Sequence, residues 1–113
     1  MLLGNDSAPN PVEWILHAVA GCITTTTVYH AAARGIRIDE MSCKLEGSLD
    51  LRGLLAMDEN IRPGYNQIKL DVTIKGDATD EELRELVVFG RRHSPAVDIA
   101  ETGSPIQLSV NVS

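Results

Sequence analysis

A chain of 113 residues has room for one domain with one modest core. Hydrophobic residues make up 43% and charged residues 23%, an ordinary globular balance; Trp14, Tyr29, Tyr65 and Phe89 are the only aromatics, so the core falls to Leu, Ile, Val and Ala. The formal net charge is -6 and no basic run exceeds Arg91-Arg92-His93, which argues against nucleic acid and anionic membranes, since both need a clustered positive face.

The N-terminal MLLGNDSAPNP has neither the basic start nor the apolar core of a signal peptide. No stretch approaches the roughly 20 apolar residues of a bilayer span. A cytoplasmic location is the expectation, and there Cys22 and Cys43 should be mainly reduced.

A long helix follows. Asn10 is a good N-cap, Pro11 suits the first helical position, and Glu13 sits where a capping box wants a carboxylate. Gly35 after Arg34 is a natural stop, so the spacing predicts a helix over Pro11–Arg34, roughly 36 Å long at 1.5 Å per residue. Ile15, Val19, Cys22, Thr26, Tyr29 and Ala33 share one face, and Leu16, Ala20, Ile23 and Val28 make other faces apolar. Such a helix is expected to be central and covered on several sides. The run Thr24–Thr27 is a poor helix former whose hydroxyls can bond back to helix carbonyls, and packing beside a sheet accounts for it.

Beyond Gly35 the period changes to two. Met41, Cys43 and Leu45 alternate with polar residues, which predicts a half-buried strand with Cys43 facing the core. RGLLAMDENIRPGYNQ reads as a loop turning at Pro63-Gly64. Ile68, Leu70, Val72 and Ile74 predict a second strand. Thr79 and Glu82 form a capping box for a second helix, and Ser94-Pro95 starts a short third one. Ile106, Leu108, Val110 and Val112 predict a last strand. The class is α+β, a long central helix packed on an antiparallel sheet. So few strands cannot cover that helix, and the leftover apolar surface predicts an intertwined dimer.

Cys22 is the chemical question. A reactive sulfur must be a thiolate, and mid-helix it gains little from its own helix dipole. A neighbouring cation is expected, with Arg37, Arg52, Arg62 and His17 as candidates. The competing reading is a small buried hydrophobe. His17, His30 and His93 have no zinc-site spacing, and no Gly-rich phosphate loop is present, so neither metal nor cofactor is expected.

The blocks NPVEWILHAVAGC, EGSLDLRG, IRPGYNQI and HSPAVD, in this order, resemble the OsmC/Ohr family of cysteine-based peroxidases and their OsmC-like relatives. The resemblance covers nearly the whole chain from Pro9 onward, as a single OsmC-like domain over residues 1–113. It implies an intertwined homodimer with two sites at the interface. It also implies a thiolate that attacks an organic hydroperoxide, becomes a sulfenic acid, forms a disulfide with a second cysteine, and is reset by a lipoyl or thioredoxin-like dithiol.

By that resemblance Cys22 is the peroxidatic cysteine. Glu13 lies near the family's site glutamate. In better characterised members that residue stands where this chain has Val12; Glu13 has the spacing of the less characterised OsmC-like branch. Two departures follow. The resolving cysteine's position before Pro95 holds Ser94, which cannot form a disulfide. The N-terminal strands that supply an arginine in the family are expected to be lacking. The expected function is therefore one-cysteine reduction of organic hydroperoxides with an external thiol reductant. The alternative is a non-enzymatic OsmC-like dimer that binds a small apolar ligand or senses redox stress through Cys22.

Overall fold

The structure, a computed structural model, describes residues 10–112; the leader reading of residues 1–9 falls outside them. The elements are α1 (Pro11–Ala33), β1 (Ile38–Leu49), α2 (Leu51–Leu54), β2 (Tyr65–Gly76), α3 (Asp80–Arg92) and α4 (Pro95–Thr102).

α1 begins as its sequence dictates. The Asn10 side chain accepts the N–H groups of Val12 and Glu13, each at 3.0 Å, and donates to the Glu13 carboxylate at 3.2 Å. It ends one residue earlier than expected, with Arg34 as C-cap and Gly35 at φ +71°. The Ile36 N–H then returns to the Ala31 carbonyl at 2.9 Å, satisfying an otherwise orphaned acceptor.

The buried row of α1 is Val19, Ile23, Thr27 and Ala31. This corrects the expected face. Val19 is common to both, but Tyr29 is 72% exposed and Ile15 is exposed as well. α3 and α4 pack along the four-residue row and select it. The helix is apolar nearly all round, so its own pattern does not fix a phase.

β1 and β2 pair antiparallel, with Cys43 opposite Val72 and Leu45 opposite Leu70. Met41, Leu45 and Leu70 turn toward α1 and pack on the cluster of Val19, Ile23 and Val97. The connection expected to be plain loop contains one helical turn, α2, because the Asp50 carboxylate caps the Arg52 N–H at 3.0 Å. α3 carries the full Thr79–Glu82 capping box and buries Leu83, Leu86 and Gly90. A Cβ at Gly90 would collide with the Thr27 side chain and backbone, so that glycine is what lets α3 lie close on α1.

The expected last strand does not form. Residues 103–112 carry no secondary structure, and Ile106 and Val112 are 91% and 92% exposed. The apolar alternation is present, but a strand is a pairing, and the described sheet is β1 and β2 alone. The shape agrees with this incompleteness. The radius of gyration is 17.6 Å and the extents are 55 × 30 × 28 Å, against ~13 Å for a compact chain of this length. An elongated chain with exposed Trp14, Tyr29, Leu54 and Met57 is consistent with one half of an intertwined dimer. Among the described residues, no helix is long and apolar enough to cross a membrane.

Candidate active site

Cys22 lies halfway along α1, on the side that faces α4. α4 starts with Ser94 as N-cap and Pro95 in its first turn, so its early N–H groups have no partners within the helix. One of them, from Ala96, donates to the Cys22 Sγ at 3.5 Å. The thiol therefore occupies the place at a helix N-terminus where an anion is stabilised, and the helix is not its own.

Two opposing effects set its ionisation. Burial pushes the thiol up; the hydrogen bonds from Ser94, Ala96 and Thr26, in that order, pull it down and prevail, leaving it below the ordinary cysteine value. Thr26 contributes least, and its single proton is held by the Cys22 carbonyl at 2.7 Å. The expected cation is not what does this. Arg37 pairs with Asp39 at 2.8 Å and Arg52 with Asp50 at 2.7 Å, both on the surface, while the His17 ring lies tilted against Trp14. None of them, nor Arg62, is among the causes of the Cys22 shift. Within the described residues the Ala96 amide is the donor that reaches the sulfur.

Glu13 sits elsewhere. Nine residues of helix are two and a half turns, which puts Glu13 and Cys22 on opposite faces and roughly 13 Å apart along the axis. Within one chain the structure does not bring them together. Glu13 instead borders an open cleft of about 1530 Å³ between the first half of α1 and the β1–β2 hairpin, lined by Val12, Leu16, Leu45, Leu49 and Tyr65 among others. The Tyr65 hydroxyl donates to the Val12 carbonyl at 2.9 Å, and burial, then the Glu13 carboxylate, push its phenol up.

Cys43 also lines this cleft, with its Sγ 3.7 Å from the Thr24 hydroxyl. Thr24 is two residues from Cys22, about 200° around the helix. The body of α1 thus separates the two sulfurs, and both are free thiols. Among the described residues, no group of three or more His, Cys, Asp or Glu side chains could hold a metal ion.

The family model described as OsmC-like protein matches residues 4–109. The chain belongs to the OsmC-like family. Among solved structures, an OsmC-like protein from Mycoplasma pneumoniae matches at a TM-score of 0.71 and 22% identity, covering 84% of this chain and 65% of its own. An OsmC-like protein of unknown function from Vibrio cholerae matches at 0.69 and 12% identity, covering 86% of this chain and 62% of its own. This chain thus spans less than two thirds of either structure, and at these identities the likeness shows the OsmC-like fold alone. No curated protein matches.

The Ala96 amide is the site group that sequence reasoning missed. The cap of its helix at Ser94 is local and legible in the sequence. The amide's contact with Cys22 joins α1 to α4 across most of the chain, and no spacing rule reports that.

Proposed function

We propose that this OsmC-like chain is a thiol-dependent peroxidase that reduces organic hydroperoxides through Cys22 alone. The observation that supports this most is the half-buried Cys22 thiol, held below its ordinary pKa by donors from α4. The thiolate is the nucleophile, and lowering the thiol pKa raises its fraction at neutral pH. The sulfur attacks the terminal peroxide oxygen; an S–O bond forms, the O–O bond breaks, and the alkoxide leaves and takes a proton from solvent. Cys22 becomes a sulfenic acid.

Resolution then falls to an external thiol, because Ser94 is a hydroxyl and Cys43 lies across the helix. The external thiol displaces water to give a mixed disulfide. A second equivalent frees Cys22 and leaves as the reductant's own disulfide. The chain works, in this reading, as a single-domain cytoplasmic homodimer. Glu13 keeps a proposed role only at the dimer interface, since within one chain it faces away from the sulfur.

The large apolar cleft favours a second reading, a non-enzymatic dimer that binds a small apolar ligand with Cys22 as packing. Consumption of cumene hydroperoxide with excess dithiol separates the two. Turnover by the wild type and none by Cys22→Ser supports the peroxidase. Inert wild type with a thiol that resists alkylation supports the binding protein.

A further inference from the structure

The first turn of α4 has one backbone N–H whose partner lies outside that helix and its cap. Pro95 has no N–H, the Val97 N–H goes to the Ser94 hydroxyl at 3.4 Å, and the Asp98 N–H goes to the Ser94 carbonyl at 3.0 Å. The Ala96 N–H goes to the Cys22 Sγ at 3.5 Å, so this nitrogen and the sulfur are already in contact. Ala96 also packs against the cluster of Val19, Ile23 and Val97, which holds the turn beside α1. A sulfenic sulfur is an electrophile, and a backbone nitrogen is one of the groups it condenses with. An amide is a weak nucleophile, but holding it against its target turns a bimolecular encounter into an intramolecular one.

Building on the peroxidase reading, we propose that the Ala96 backbone nitrogen resolves the Cys22 sulfenic acid, forming a sulfenamide that ties α4 to α1 until a thiol reopens it. The nitrogen bonds to the sulfur as the S–O bond breaks. The hydroxide leaves with the amide proton as water, and this step consumes no further oxidant or reductant. The thiol reductant then attacks the sulfur. The S–N bond breaks, the nitrogen recovers a proton from that thiol, and Cys22 is left as the mixed disulfide described above. The N–H given up serves no hydrogen bond within α4, so the helix keeps its ladder in both states. The S–N bond also shields the sulfur from a second peroxide, which would carry it on to the irreversible sulfinic acid.

The test uses the full chain with Cys43→Ser, so that each copy has one thiol, and treats it with cumene hydroperoxide or hydrogen peroxide without reductant. The sulfenic acid forms first, one oxygen heavier than the reduced chain and trapped by dimedone. On standing, dimedone labelling is expected to be lost while a form two hydrogens lighter than the reduced chain accumulates. Trypsin digestion without reductant should then show the peptide that ends at Arg34 joined to the one that begins at His93, through Cys22 and Ala96. Added dithiol should separate them. Ala96→Pro has no N–H, and proline is tolerated in a first helical turn, so this variant should keep its dimedone labelling and give no joined peptide. If it does not fold, the peptide map of the parent chain decides alone. A sulfenic acid that persists in the parent, a join at any other residue, or a disulfide between two copies overturns the proposal. Turnover of cumene hydroperoxide with a persistent sulfenic acid overturns the amide step and keeps the peroxidase. A join formed by hydrogen peroxide in a chain that does not turn over cumene hydroperoxide keeps the amide step and ends the peroxidase reading. A Cys22 that neither oxidant touches overturns both.

Discussion

The two sides of α1 are built differently. On the side of α3 and α4 the chain completes itself: Val19, Ile23, Thr27 and Ala31 are buried, and the Cys22 sulfur accepts the Ala96 N–H. On the side of the hairpin an open cleft remains, with Glu13 and Cys43 along it and apolar side chains facing solvent. The proposed chemistry sits on the closed side. The open side, together with the unpaired residues 103–112, is where a second copy is proposed to fit.

The largest expected effect breaks the comparison at Cys22. Cys22→Ser should abolish hydroperoxide consumption, while Cys43→Ser, across the helix, should keep most of it. Equal losses in a steady-state assay would place the chemistry on the wrong side.

The dimer comes next. Leu108→Asp puts a charge into the apolar alternation of the unpaired tail, where Leu108 is 81% exposed in the single chain. It should shift the dimer toward monomer in sedimentation, whereas an exposed and unused tail would leave the mass unchanged.

The closed side can be strained directly. Gly90→Ala forces a methyl into Thr27 and should cost about 1–3 kcal/mol in chemical denaturation, since overpacking a close helix crossing drives side chains and backbone apart. No loss of stability would mean that α1 and α3 do not cross so closely.

A pH effect follows from the depressed Cys22 thiol. Its folded value lies below the unfolded one, so its stabilising contribution is present above the unfolded value and is lost as pH falls through the folded value. The pH midpoint of Cys22 alkylation should therefore lie below that of an ordinary cysteine, near 8.5. A midpoint at or above that pH would contradict the depressed thiol.

The smallest effect concerns Thr27. Its hydroxyl is the one buried side-chain polar atom among the described residues without a partner, while Thr24, Thr25 and Thr26 bond back to helix carbonyls. Thr27→Val keeps the shape and removes the unpaired group, and should stabilise by ~1 kcal/mol.

What was legible in the sequence was local. The caps at Asn10, Thr79 and Ser94, the glycine stop at Gly35 and the alternation of Met41, Cys43 and Leu45 all act within a few residues, and all appear in the structure. The phase of α1 was not legible, because a helix apolar nearly all round takes its buried row from its neighbours. The Ile106–Val112 alternation was legible as a pattern but not as a strand, because pairing depends on an edge that the sequence does not name. Within the site, Cys22 was marked by family resemblance, but its donors were not. A cation is the commonest way to ionise a thiol, whereas the group that reaches the sulfur within one chain is the Ala96 amide.

The account stands on Cys22 as a working thiolate, and one reaction tests that most directly. The full chain is treated with one equivalent of cumene hydroperoxide at neutral pH and its mass is read before any reductant is added. The account predicts a single added oxygen atom, located on Cys22. A chain that comes through unmodified, or oxidised at Cys43 instead, would contradict it.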